Sequence, residues 1–170
     1  GNWNPEPLAF EALAMRMKNR TKIDLQEIPP LAIVQLPKSG VKFAMMTGTG
    51  TVKFKDAEKK AIKAFVEGGG TILIDIAGGN SKTFKRTRPF TYSVRDALKE
   101  IYPGRRSRPR QLAFNSPLYK MPGYNIKDVR FRHHTRFMLV GRFPQVRSVS
   151  VNGRPAILFS ELDLTAGLVG

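Results

Sequence analysis

Acidic side chains stand at positions where a carboxylate could act as a base, a nucleophile or a metal ligand. Asp75 directly follows the β-favouring run from Thr71 to Ile74 and precedes a glycine-rich turn. Glu161 and Asp163 lie two residues apart near the end of a later apolar run. Carboxylate oxygens suit divalent cations, so these side chains form one candidate ligand-binding cluster. Simpler roles are open as well, because Asp75 can cap the N–H groups of the next turn and the other acids can lie in a solvated loop.

Glycine-rich segments next to the apolar runs supply further candidate residues. Thr47 and Gly48 end one apolar run, and Gly78, Gly79 and Asn80 follow Asp75 at the end of another. The backbone N–H groups of residues 78–80 could bind an anion, and a tight turn without a ligand is the alternative. Residues 47–50 and the glycines at 68–70 have neither the G-x-x-x-x-G-K-[ST] nor the G-x-G-x-x-G pattern in its proper context. They are therefore candidate ligand-binding residues without a recognised phosphate motif.

Metal and thiol chemistry have little support in the composition. The chain contains no Cys, which excludes disulfides, thiolate metal sites and Cys nucleophiles. His133 and His134 are adjacent, so at most one of them is expected to enter a given site. Arg132 and Arg136 flank both rings and lower their basicity. We therefore expect neither a metal ion nor a cofactor.

Positive charge is concentrated in the second half of the chain. The formal net charge is +16, and residues 80–170 contain 18 basic but only 5 acidic side chains. The densest stretch supplies the candidate polyanion-binding residues Arg105, Arg106, Arg108 and Arg110. Arg binds phosphate and carboxylate well, so a nucleic acid or another polyanion is one candidate partner, and a solvated basic surface is the alternative. No zinc-finger, helix-turn-helix or RRM signature accompanies the Arg stretch.

Alternating helix-like and strand-like segments must position these residues. Apolar side chains spaced i, i+3, i+4 and i+7 predict helices, and apolar or β-branched runs predict strands. The predicted helices span residues 7–20, 56–67 and 91–101, and the predicted strands span residues 23–25, 41–46, 71–74, 112–114, 146–151 and 156–159. Gly68-Gly69-Gly70 is expected to end the second helix, and Asn152-Gly153 predicts a hairpin between the last two strands.

This alternation predicts an α/β three-layer domain with a mainly parallel sheet, finished by the hairpin as an antiparallel edge. The length of 170 residues fits one domain over residues 1–170. No apolar run approaches the ~18 residues of a membrane span. Ligands of open α/β sheets collect outside the carboxyl ends of the strands. The rule places residues 47–50, 75–80 and 160–163 at one common edge.

Short motifs along nearly the whole chain also resemble a known family. In order, they are Trp3-x-Pro5-x-Pro7, the apolar run into Thr47-Gly48, residues 65–71 leading to Asp75, Ser116-Pro117-Leu118-Tyr119, Asn152-Gly153-Arg154, and Phe159-Ser160-x-x-Asp163-Leu164. Together they resemble a bacterial domain family of unknown function. That family is similar to class I glutamine amidotransferase-like and trehalose-utilisation (ThuA-like) proteins.

The resemblance implies a flavodoxin-like α/β sandwich and a periplasmic or envelope setting, with a cytoplasmic location still open. Because the chain begins at Gly1 without a Met, a signal or anchor could have been removed from a longer precursor. Arg154 joins the ligand-binding candidates through its place in the hairpin motif. The segment 75–79 lacks the nucleophilic Cys of an amidotransferase, so thiolate glutaminase activity is excluded. Asn115-Ser116 stands where related proteins often have an Asp-His pair, which weakens the case for His-assisted chemistry.

Three functions are consistent with these observations. The leading hypothesis is a noncatalytic amidotransferase-like module that binds a ligand or a protein partner at the strand ends. The enzyme alternative is a hydrolase that uses carboxylates or a metal ion. The third hypothesis is a nucleic-acid or polyanion binder that uses the Arg-rich second half.

Overall fold

A mixed five-stranded sheet forms the centre of the fold in the computed structural model, which describes residues 7–77, 84–121, 124–126, 129 and 143–169. The strands in chain order are β1 (Phe43–Gly48), β2 (Thr71–Ile76), β3 (Arg110–Gln111), β4 (Lys120–Met121), β5 (Tyr124–Asn125), β6 (Arg147–Val151) and β7 (Arg154–Ser160). The main sheet has the order β1-β2-β7-β6-β3, and β4 and β5 form a separate antiparallel pair.

The core of the main sheet is parallel, as predicted. Strand β1 pairs in parallel with β2, and β2 pairs in parallel with β7. Strands β6 and β3 extend the sheet through antiparallel pairs. The mixed α/β class is thus confirmed, whereas the finer flavodoxin-like arrangement stays a prediction.

The predicted hairpin is confirmed, but it does not form the edge of the sheet. Asn152 and Gly153 have φ of 51° and 78°, as a tight hairpin turn requires. The hairpin extends the sheet on its antiparallel side, as expected, but the short strand β3 forms the edge, and β7 lies inside the sheet between β2 and β6. Strand β7 suits an interior place, because its side chains Ala156, Ile157 and Phe159 are all buried.

Three of the helices in the described ranges overlap the predicted ones, and a short fourth helix near the end was not predicted. The helices are α1 (Ala9–Thr21), α2 (Asp56–Glu67), α3 (Phe84–Ile101) and α4 (Ala166–Val169), with short 3-10 helices at Ile33–Lys38, Gly104–Ser107 and Pro117–Tyr119. Gly69 has φ of +100° just after α2, so the glycine run ends that helix as predicted. Helix α3 begins at Phe84, earlier than expected, and contains Pro89 in its interior.

Two of the predicted strands do not form. Residues 23–25 lie in an irregular connection, and Ile23 and Leu25 are exposed. Residues 112–114 are likewise irregular, and the preceding pair Arg110–Gln111 joins the sheet instead. A short apolar run is weak evidence for a strand, because only pairing with a neighbour satisfies its backbone groups.

Helices α2 and α3 pack against each other and against β2 around one apolar cluster. The cluster includes Ile62, Phe65 and Val66 of α2, Val94, Leu98 and Ile101 of α3, and Ile72, Ile74, Ile76, Ile157 and Phe159 of the sheet. Helix α1 packs against α4. Among the helices of the described ranges, none combines the length and the hydropathy needed to cross a membrane.

Candidate functional site

The carboxyl ends of the three parallel strands meet at one edge of the sheet. Thr47 of β1 pairs in register with Asp75 of β2, and Asp75 pairs in register with Ser160 of β7. Register partners in neighbouring strands present their side chains on the same face. The structure therefore brings Thr47, Asp75 and Ser160 together in one row, which is called the carboxyl edge below.

Gly48 follows Thr47 and is fixed by close packing. A Cβ added at Gly48 would lie 2.4 Å from a carbon of the Phe90 ring in α3. Phe90 is itself buried in the apolar cluster, so its ring has little room to move. The glycine at this position is thus explained by helix packing against the end of β1.

Asp75 hydrogen-bonds the C-terminal segment at residues 164–165 to the centre of the sheet. Its side chain is completely buried, and its Oδ2 atom accepts hydrogen bonds from the backbone N–H of Leu164 at 2.7 Å and of Thr165 at 3.3 Å. The sequence suggested that this carboxylate caps the next turn. Among the described residues, its N–H donors instead come from a segment about ninety positions later in the chain.

Burial is the largest influence on the pKa of Asp75. Removal from water raises the pKa of this carboxyl from 3.8 to about 6, since the charged form loses its hydration. The neighbouring Ser160 hydroxyl and the N–H groups of Thr165 and Leu164 lower the pKa in part, and the nearby charge of Asp163 raises it. The Oδ1 atom is buried and has no well-formed hydrogen bond to any described residue, so the Ser160 hydroxyl acts from a less favourable position.

Asp163 has a structural role in the turn that Asp75 holds. Its backbone has φ of +53°, and its Oδ1 atom accepts hydrogen bonds from Thr165 Oγ1 and from the backbone N–H of Ala166, both at 3.2 Å. A short acidic side chain tolerates this left-handed conformation better than most residues do. The carboxylate of Asp163 thereby supports the first turn of α4.

Glu161 forms an ion pair with helix α3. Its Oε1 atom lies 2.9 Å from the Arg95 guanidinium, and both side chains are about one-quarter exposed. The Arg95 guanidinium also lies over the Phe159 ring, 5.7 Å from the ring centre. The pair therefore attaches α3 to the segment that follows β7.

The three candidate acids do not assemble as a metal site. Within the described ranges, no three His, Asp or Glu side chains are grouped closely enough to hold a metal ion. Asp75, Glu161 and Asp163 instead accept hydrogen bonds from separate partners: backbone N–H groups, a guanidinium and a helix turn. Asp75 lies near the end of β2, and Glu161 and Asp163 follow β7, but the sequence did not predict these partners.

Arg154 does not lie at the carboxyl edge. It begins β7, at the opposite end of that strand, and donates hydrogen bonds to Val66 O at 2.7 Å, Gly70 O at 2.6 Å and Thr71 Oγ1 at 3.0 Å. Its guanidinium thus ties the hairpin to the end of α2 and the start of β2, which is an architectural use of the side chain.

The remaining candidates either lie outside the described residues or belong to the Arg-rich stretch near β3. Gly78, Gly79 and Asn80 lie outside the described residues, as do His133 and His134. Arg105 and Arg106 belong to the 3-10 helix Gly104–Ser107. Arg108 and Arg110 are exposed and lie at the β3 edge of the sheet, away from the β1–β2–β7 end row.

A groove beside β3 joins two of the candidate arginines to residues that were not predicted to belong to a site. It has a volume of about 540 Å³, and its lining includes Arg108, Arg110, Leu112, Ser148, Ser150 and Pro155. We call it the β3 groove. The alternation of Ser148 and Ser150 around the buried Val149 was the available signal, since alternate residues of a strand share one face.

The fold and the carboxyl edge define a mixed α/β domain in which the acidic residues at the strand ends hold the structure together. The chain belongs to the family described as "Domain of unknown function (DUF4159)", whose model matches residues 1–168. No curated protein matches the chain. The family match covers the chain as the motifs implied, but it gives no support for a similarity to glutamine amidotransferase-like proteins.

Proposed function

We propose that this chain is a noncatalytic binding domain of the amidotransferase-like type, which holds a ligand or a protein partner at the carboxyl edge. The observation that carries the proposal is the use of the three acids at that edge. Asp75, Glu161 and Asp163 are each occupied by a protein partner. The edge is therefore a fixed scaffold rather than a set of free reactive groups.

A carboxylate-dependent hydrolase fits this geometry less well. A general base or nucleophile must come within hydrogen-bond reach of the substrate. The Asp75 carboxylate is completely buried, and its Oδ2 atom is already an acceptor for two backbone N–H groups. A substrate would have to displace the 164–165 segment before it could contact this group.

The surface that a ligand would contact is formed by the end of β1 and the loop that follows it. Thr47, Gly48 and Thr49 are partly exposed, and Gly50 is exposed with no atom within 4 Å of an added Cβ. Backbone groups of this loop can bind a ligand while the Asp75-anchored segment holds the neighbouring strand ends in place. Binding without a reactive side chain is the function that such an arrangement supports best.

An NMR screen of small polar fragments against the ¹⁵N-labelled chain tests the proposal. We expect that the amide shifts caused by bound fragments concentrate in residues 47–50 and 160–165. Gly50→Trp should block these fragments, because the open space at Gly50 accepts a large side chain without backbone strain. Lys38→Trp is the matched control, since Lys38 is exposed and precedes β1 at the other end of the strand.

Shifts that map elsewhere, or fragments that bind Gly50→Trp as well as the unchanged chain, would refute the proposed location. The claim that the domain is noncatalytic is tested separately with a panel of chromogenic esters, phosphates and glycosides. Turnover that is present in the unchanged protein and lost in Asp75→Asn would establish the hydrolase alternative instead.

A further inference from the structure

The β3 groove combines unneutralised positive charge with hydroxyl groups. Arg108 and Arg110 are exposed, and within the described residues neither guanidinium has an ion pair or a hydrogen bond. They are two positions apart on an extended segment, so both side chains can point into the same groove. Arg presents several N–H donors in a planar fork that matches the oxygens of a phosphate group.

No acidic side chain of the described second half is available to neutralise these arginines. Asp96 pairs with Lys99 and Glu100 pairs with Lys59, in both cases at 2.6 Å. Glu161 pairs with Arg95, and Asp163 supports the turn before α4. Among the residues that the structure describes, no acidic side chain therefore forms an ion pair with Arg108 or Arg110.

Ser148 lies opposite Arg110 in the sheet. The two residues are Cα partners in the antiparallel β3–β6 pair, so their side chains share one face of the sheet. Ser148 is 8% exposed and lines the groove, so its hydroxyl can donate a hydrogen bond to a molecule bound there or accept one from it.

A β-bulge completes the groove. The register between β6 and β7 shifts between Val149 and Ser150, so that Ser150 pairs with Pro155. The shift places Pro155 on the groove side together with Ser150, and bulges commonly re-aim side chains next to binding sites. Pro155 and Leu112 add an apolar surface to the polar group formed by Arg108, Arg110 and the serines.

We infer that the β3 groove binds a small organic phosphate ester. The two guanidinium groups and the hydroxyls of Ser148 and Ser150 hold the phosphate, and the organic part lies on Leu112 and Pro155. A volume of about 540 Å³ is within the range of small-molecule sites in proteins, roughly 300–1,000 Å³. The site is separate from the carboxyl edge, so either proposal can fail without the other.

Calorimetric titration of the whole chain with phenyl phosphate at low ionic strength tests this inference. We expect saturable binding to one site, with a Kd below about 1 mM, and weaker binding of inorganic phosphate, which lacks the apolar part. Arg110→Ala should weaken binding roughly tenfold or more, because a charge-assisted contact is lost. Ser148→Ala should weaken binding roughly threefold or more.

Arg16→Ala is the control for charge alone. Arg16 is exposed on α1 and does not line the groove, so its loss should change Kd less than about twofold. Circular dichroism melting establishes that each variant is folded before titration.

Absence of saturation up to 10 mM phenyl phosphate, or equal effects of Arg16→Ala and Arg110→Ala, would overturn the inference. Unchanged binding by Ser148→Ala or equally tight binding of inorganic phosphate would do the same. A single-stranded oligonucleotide that binds through Arg110 while phenyl phosphate does not would show a polymer site instead.

Discussion

Replacing Asp75 with Asn should remove a pH dependence from the stability of the fold. Burial raises the pKa of this carboxyl from 3.8 to about 6, so the folded protein holds the proton more tightly than the unfolded chain does. Between about pH 4 and pH 6, the free energy of unfolding contributed by Asp75 therefore falls as the pH rises. Below this window both states are protonated, and above it both are ionised, so the contribution is level on either side.

The size of the effect follows from the same values. A rise in pKa from 3.8 to about 6 corresponds to roughly 3 kcal/mol of stability lost between pH 4 and pH 7. Asn is nearly the same shape, and its amide oxygen can still accept from the N–H of Leu164. It carries no charge to bury, so its free energy of unfolding should exceed that of the unchanged chain increasingly as the pH rises through this window.

Urea denaturation followed by far-UV circular dichroism measures this difference at several pH values. The difference between the free energies of unfolding of the two proteins at each pH removes the contribution of the other acids and leaves that of Asp75. Asp56→Asn is a suitable control, because a hydrogen bond to Lys59 lowers the pKa of Asp56 on the protein surface and gives a dependence of opposite sign. Curves for the unchanged chain and Asp75→Asn that run parallel within about 0.5 kcal/mol from pH 4 to pH 7.5 would refute the reasoning.

Other predictions concern side-chain packing and the contacts between elements. In each case urea denaturation measures the change in the free energy of unfolding. Gly48→Ala should cost about 1–3 kcal/mol, because its Cβ would overlap the Phe90 ring; a loss no larger than that of an ordinary surface change would contradict this packing. Arg154→Ala should cost about 2–3 kcal/mol by removing the guanidinium donor that the carbonyls of Val66 and Gly70 share, and a neutral result would show that water replaces it. A double-mutant cycle of Arg95→Gln and Glu161→Gln should give a coupling of about 1 kcal/mol, and additive losses would show that the ion pair is not formed in solution.

Local periodicity predicted the elements whose neighbours are close in sequence. Helix α2 was predicted with its observed bounds, because its apolar spacing and the following glycines act within one turn of the chain. The turn at Asn152 and Gly153 was predicted for a similar reason, since its conformation depends on the residue types themselves.

Features that depend on distant pairing were not predicted. The central position of β7 depends on β2, which lies far earlier in the chain, and no local pattern specifies that neighbour. The partners of Asp75 are likewise distant, so a role as acceptor for backbone N–H groups was among the predictions, but the segment that supplies those groups was not. The β3 groove was not predicted, because Arg110 and Ser148 become neighbours only through the antiparallel pairing of β3 and β6.

The order of the strands has a consequence for how the chain folds during synthesis. Strand β2 emerges early, yet one of its two neighbours is β7, made about eighty residues later. Until β7 arrives, the isoleucine-rich β2 presents an open edge with unpaired backbone groups, the kind of surface on which chains aggregate. We expect ribosome-bound chains truncated before Arg154 to be protease-sensitive and to need a chaperone, and longer chains to become resistant in a single step.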